Sequence, residues 1–415
     1  MTRLLLLLLI LTGTYTLPAQ TDANCDELGF DPVRLARVDA YMQGLVDQGV
    51  IPNAQVLILR RGQTAHRGSF GYSDLEKQTP AQPDDIYRIA SMTKAQVTVG
   101  LMMEYEKGKF LLDDPVSQYI PAFAGAQVLT KVDKEQGTYE TEPAKSPVTI
   151  RQLLTHTAGI AYGLEVETDD IRVPYFASLD DVTTEAVANR IAKRPLVHHP
   201  GEGFTYGLGI DVAGRLLEVV SGQSLNDYLT EHLWRPLGMT DSYFYLPAEK
   251  HSRLVKLYSK KERDSQLTPH ENETYNDFAI RGAQRYYSGG AGSVGTIKDY
   301  GTFCQMLLNE GSLHGHRFLS PHTVRMMTRP HTGDFTVWER NDPFGIGFQI
   351  ISEQSRYGGL ATPGAYTWGG LYLTEFTIDP AEELVMLFYT NVQPIPQYQE
   401  IVRRFRNLVY AALVD

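Results

Sequence analysis

Ser91 and Lys94 stand three residues apart in Arg88-Ile-Ala-Ser91-Met-Thr-Lys94, ahead of a largely apolar run over residues 95–103 that stops near Gly108. The run predicts a helix, with Ser91 in its first turn and Lys94 one turn up on the same face. A hydroxyl and an amine are then held together at the positive end of a helix dipole. An alcohol attacks at neutral pH when a neighbouring base takes its proton, so the pair suits nucleophilic chemistry. A capping serine and a surface lysine fit the same letters, and a chain this long holds roughly one Ser-x-x-Lys by chance. The motif gains weight only with partners elsewhere in the chain.

Three stretches offer partners. Tyr206 sits in Pro200-Gly-Glu-Gly-Phe-Thr-Tyr-Gly-Leu208, a turn entering a helix, where a phenol can approach another element and relay a proton. Trp368-Gly369-Gly370 interrupts a strand-like run, and paired glycines there imply a β-bulge or the close approach of backbone or ligand. Ser288-Gly-Gly-Ala-Gly-Ser-Val-Gly295 is a glycine-rich turn. It lacks the Gly-Lys-Ser/Thr of a phosphate loop, and Ala291 breaks a Gly-x-Ser-x-Gly elbow around Ser293. His198-His199 and His314-Gly-His316 lack a ligand cluster at metal spacing, so no metal and no cofactor is expected. Asn272-Glu-Thr274 matches a glycosylation acceptor, a triplet common by chance.

The elements that must position these residues follow from periodicity. Asp31-Pro32 opens a helix with Leu35, Val38, Met42 and Leu45 at helical spacing. Residues 55–60 and 65–72 read as a hairpin around Arg61-Gly62. Residues 149–154, 184–192 and 211–220 read as helices, and Ser224-Leu-Asn-Asp227 as the cap of another. Residues 128–147 read as a surface excursion, and 247–287 as long loops walling a pocket. Strand character returns over 344–351, 365–378 and 383–391, and a helix closes the chain over 398–413. The expected fold is α+β: one antiparallel sheet built from both termini (21–100 and 345–415), flanked by helices, with a mostly helical half (101–344) inserted. Residues 30–410 form a single catalytic domain on this reading.

The 415 residues carry a net charge of -11 without a cluster of lysine and arginine, which argues against nucleic acid as a partner. Met1-Thr-Arg3 followed by the apolar run 4–11 and Leu17-Pro-Ala19 reads as a signal peptide over residues 1–20, too short to span a bilayer. Asn24 before Cys25 argues against a lipid anchor. A periplasmic or secreted location with no stable membrane anchor is therefore expected. Cys25 and Cys304 are the two cysteines, too few for a disulfide framework.

Taken together, Tyr87-Arg-Ile-Ala-Ser-Met-Thr-Lys94, Leu153-Leu-Thr-His-Thr-Ala-Gly159, Pro200 to Tyr206, Pro236-Leu-Gly-Met-Thr240 and Trp368-Gly-Gly370 resemble the serine β-lactamase and penicillin-binding-protein superfamily on its class C side. They are most similar to the family VIII carboxylesterases. The resemblance implies Ser91 as the acylated nucleophile and Lys94 as its base, with Tyr206 as second base or relay. It also implies an oxyanion hole from the backbone N–H groups of Ser91 and Leu371. His156 matches a structural position of the family. Two departures matter. Tyr206-Gly-Leu208 stands where relatives have Tyr-x-Asn, and Trp368-Gly-Gly370 where they have Lys-Thr-Gly. Leu208, Trp368, Gly369 and Gly370 are thus expected to line a pocket for an uncharged group. The expected substrate is a small ester, with an amide or lactam as alternatives. Esterase is the leading reading, ahead of a divergent β-lactamase, a D-amino-acid peptidase or an acyltransferase. A non-catalytic binding protein of the same fold comes last. Arg281 or Arg285, from the long loops, would restore carboxylate binding.

Overall fold

The computed structural model describes residues 20–21, 25–174 and 177–415. The expected leader, apart from Gln20, lies outside these residues. Both ends of the chain meet in one eight-stranded antiparallel sheet. At its middle Asn53–Arg60 pairs with Leu384–Tyr389, Val56 opposite Phe388 and Ile58 opposite Met386. Gln63–Asp74 and then Gln20–Thr21 extend one side, with Thr79–Pro80 added on Gln63–Asp74. Thr374–Asp379, Tyr366–Gly370 and Gln349–Ile350 extend the other.

Side chains alternate across these strands, and helices bury both faces. Val56, Ile58, Met386 and Phe388 meet Leu35, Val38 and Met42 of helix Pro32–Asp47, and Phe405 and Val409 of helix Tyr398–Tyr410. Leu57, Val385 and Leu387 meet Tyr300 and Phe303 of helix Ile297–Leu308 on the opposite face. Each such aliphatic side chain contributes roughly 1.5–3 kcal/mol on burial. The first helix starts as its sequence dictates: the Asp31 carboxylate accepts from the Val33 and Arg34 N–H groups, at 2.8 and 3.1 Å.

The helical half centres on Thr93–Glu106, which crosses the boundary expected between residues 100 and 101 and is buried almost all round. Helices Gly209–Ser221 and Leu225–Leu229 pack against it. Three expectations change in detail. Residues 365–378 are a hairpin, since the chain turns after Gly370 with Leu373 at φ 64°. The excursion over 128–147 contains the exposed hairpin Gln127–Asp133 and Thr138–Pro143. The loops of 247–287 contain a helix, Glu273–Arg281, which Asn272 caps by accepting from the Tyr275 N–H at 3.1 Å. Cys25 and Cys304 are free and buried, in separate hydrophobic clusters.

Candidate active site

Strand Tyr87–Arg88 is tied down on both sides before it reaches Ser91. It pairs with Val294–Gly295, and the Asn391 side chain bonds both the N–H and the carbonyl of Arg88 at 3.1 Å. The chain then makes a 3-10 turn, Ala90–Met92, and the α-helix begins at Thr93. Ala90 has φ 42°, a conformation L side chains rarely adopt, immediately before the serine. The Tyr300 hydroxyl donates to the Met92 carbonyl at 2.8 Å and fixes this corner.

Ser91 lies at the edge of burial, 9% exposed, and Lys94 behind it is 1% exposed. Lys94 Nζ donates to Ser91 Oγ at 3.3 Å, to the Tyr162 hydroxyl at 2.8 Å and to the Gly290 carbonyl at 2.6 Å. Tyr206 presents its ring to the same nitrogen, 4.8 Å from the centroid. Its hydroxyl accepts from Trp368 Nε1 at 3.2 Å. Tyr162 is a site residue that the sequence reading missed. Its hydroxyl joins Lys94 and also interacts with Ser91 and Tyr206. Burial first, then Tyr206 and Asp211, push this phenol well above its ordinary range and hold it protonated.

Two further residues organise the cluster. The Asp211 carboxylate, on helix Gly209–Ser221, accepts from the Ser288 hydroxyl at 2.6 Å and the Gly290 N–H at 3.1 Å. It thereby positions the carbonyl that holds Lys94. Burial pushes the Asp211 carboxyl up, and Lys94 pulls it down. His156 packs edge-on against Tyr206, centroids 4.6 Å apart. Burial, then Lys94, keeps its imidazole well below the usual histidine range, so it supports Tyr206 as a neutral ring.

A cavity of about 630 Å³ opens beside Ser91. Tyr162, Tyr206, Trp368, Gly369, Gly370 and Leu371 line it, and of these Trp368, Gly369 and Gly370 are the expected lining residues. The glycines have a steric reason. A Cβ on Gly370 would lie 2.3 Å from the Ile89 carbonyl, and one on Gly369 2.1 Å from the Glu375 carboxylate. The strand can therefore lie against the turn that carries Ser91. Leu371 follows directly, 38% exposed, and neither its N–H nor that of Ser91 has a hydrogen-bond partner among the described residues.

Leu208 is not part of the pocket. It is fully buried in the helical core, at the N-terminal boundary of helix Gly209–Ser221. The chain has already turned inward two residues after Tyr206, and an apolar side chain there goes to the core. Arg281 pairs with Glu273 and Asp277, and Arg285 with Asp181, all exposed and away from the cavity. The Ser293 hydroxyl is bonded to that of Thr93 at 2.7 Å and is 1% exposed. His199 bonds Glu142 at 3.1 Å, and no group of three metal-ligating side chains gathers among the described residues.

An antiparallel sheet from both termini, an inserted helical half and a serine-lysine pair at their junction define the β-lactamase and transpeptidase class of fold. The Beta-lactamase family model matches residues 38–411, and the chain belongs to that family. Esterase EstB of Burkholderia gladioli is 27% identical over 406 residues, 94% of this chain and 100% of that protein. The lovastatin esterase of Penicillium rubens is 30% identical over 370 residues, 82% of this chain and 88% of that protein. Among solved structures, EstCE1, described as a hydrolase with promiscuous acyltransferase activity, superimposes with a TM-score of 0.75 at 26% identity, covering 90% of this chain and 99% of that one.

Proposed function

We propose that this protein is a serine carboxylesterase that works through an acyl-enzyme on Ser91. The observation that carries the reading is the Lys94 amine, 3.3 Å from Ser91 Oγ at the edge of an aromatic cavity. Lys94 takes the serine proton as the hydroxyl attacks an ester carbonyl. Tyr162, held protonated between Lys94, Ser91 and Tyr206, passes a proton towards the leaving alcohol. Tyr206 steadies the ammonium through its ring face. The free N–H groups of Ser91 and Leu371 receive the oxyanion. Water then releases the acid by the reverse proton path. No cofactor enters this scheme, and a periplasmic or secreted location, from the leader-like residues 1–20, fits it.

Relatives whose names specify esterase activity support an ester over a lactam. So does Trp368. The carboxylate beside the reacting ring of a β-lactam would meet the Trp368 indole in the place where relatives have a lysine, and lose hydration there at a cost of roughly several kcal/mol. A neutral ester avoids this. The test is kcat/KM for nitrophenyl butyrate against a chromogenic cephalosporin. The ester should win by at least ~100-fold, and Ser91→Ala should abolish its turnover. A better rate on the cephalosporin would replace this reading with a divergent β-lactamase.

A further inference from the structure

Two rings along from Lys94, through Tyr206 and Trp368, the cavity lining holds a cation that the hydrolytic scheme does not use. Arg340 lines the cavity, and the charged residues among its described lining are Arg340 and Glu375. The charge of Glu375 is already answered. Its Oε1 accepts from Arg406 at 3.2 Å, and from the Tyr357 and Thr367 hydroxyls at 3.1 Å each. Arg340 makes no hydrogen bond to a carboxylate among the described residues, although its charge, after burial and Arg406, also acts on the Glu375 carboxyl. Its hydrogen bond goes to the neutral Gln349 amide, which in turn donates to the buried Asp342 at 2.6 Å. No acidic side chain among the described residues forms an ion pair with it.

The guanidinium is instead held over aromatic rings. It lies 3.9 Å from the Tyr357 centroid, 4.7 Å from Trp338 and 6.0 Å from Trp368. One hydrogen bond and ring contacts leave further guanidinium N–H donors for a planar anion. The backbone is strained to make this stack. Trp338 has φ 45° and Asn341 φ 60°, two non-glycine residues in the left-handed region on either side of Arg340. Trp338 stays half exposed, yet lies parallel to Trp368, centroids 5.8 Å apart at 22°, and against Tyr206 at 5.6 Å. A solvent-exposed indole and a strained rim gain nothing for the core, and they roof the cavity with a flat apolar surface ending in a cation.

Building on the esterase reading, we infer that Arg340 selects esters carrying a carboxylate remote from the scissile bond, with the intervening apolar portion lying on Trp338 and Trp368. This carboxylate differs from that of a β-lactam, which sits beside the reacting carbonyl. The substrate class is a half-ester of a dicarboxylic acid, or an ester of a hydroxy acid.

Calorimetry on the Ser91→Ala protein tests binding without turnover. 4-Phenylbutyrate should bind at least tenfold more tightly than 4-phenylbutyramide. Arg340→Met should bring the two within about twofold, and Arg340→Lys should keep part of the preference. In the active enzyme, two pairs locate the carboxylate: nitrophenyl hemiadipate against its methyl ester, and 4-butyryloxybenzoate against the corresponding benzamide. At least one anionic member should be preferred tenfold or more in kcat/KM, through KM, and Arg340→Met should remove that preference. Equal binding of acid and amide, or a preference that survives Arg340→Met, overturns the inference. If no ester of either kind is hydrolysed, the esterase reading falls, while the calorimetry still decides the role of Arg340.

Discussion

Lys94 is held by three acceptors at once, and its bond to Ser91 is the longest of the three. The amine is thus fixed beside the serine by Tyr162 and Gly290, and loss of either phenol should disturb it differently. Lys94→Ala should lower kcat by at least ~100-fold, the scale for losing a general base. Tyr162→Phe should come close to that, because it removes a hydroxyl that bonds Lys94. Tyr206→Phe keeps the ring face that the amine sees, so its loss should be smaller. Steady-state kcat for the three variants checks the order, and a Tyr206→Phe defect far exceeding that of Tyr162→Phe would return the relay to Tyr206. Part of this cluster was legible in the sequence: Ser91, Lys94, Tyr206, Trp368 and both glycines stand out by type and spacing, and the family resemblance joins them into one site. Tyr162 was missed, although Tyr162-Gly-Leu164 repeats the tripeptide Tyr206-Gly-Leu208. Leu208 failed for a geometric reason, since reading along a motif says nothing about the direction in which the chain turns after it.

At the scale of elements, the loop before the serine strand carries a buried acid. Asp85 accepts from the Gln82 N–H at 2.8 Å, and burial above all pushes its carboxyl up to about 7. Asp84 adds to the rise, while the Gln82 N–H and Arg253 oppose it. A folded-state value above the unfolded one means that the native protein holds this proton more tightly. The resulting stabilisation is complete below about pH 3.9 and is lost as pH rises through about 7. Asp85→Asn keeps an acceptor for Gln82 and removes the titration. It should raise Tm at pH 8 by a few degrees relative to the wild type, with the gain shrinking towards pH 5. An equal shift at both pH values would show that the carboxyl is not titrating there. The sheet from both termini was legible because its strands are rich in β-branched and aromatic residues and its turns carry Gly62 and Pro380. The turn at Leu371-Tyr-Leu373 was not, since it has strand-like residues and lacks glycine or proline. Helix Glu273–Arg281 was hidden by its largely polar surface.

Across the whole molecule, the sheet from the two ends and the inserted helices meet at one seam, and every part of the candidate site lies along it. Ser91 and Lys94 come from the central helix and its leading turn, Tyr162 and Tyr206 from loops of the helical half, and Trp368 to Leu371 from the end of the sheet strand Tyr366–Gly370. This division explains why a sequence can resemble a family in scattered short motifs and in little between them. The motifs are the seam, and the rest has only to pack. The most direct measurement of the central claim is intact-protein and peptide mass spectrometry after reaction with a nitrophenyl alkylphosphonate. A single phosphonyl adduct on Ser91, absent from Ser91→Ala while that variant keeps its far-ultraviolet circular dichroism, is the predicted result. An adduct on Ser293, or no adduct on a protein that still hydrolyses esters, would contradict it.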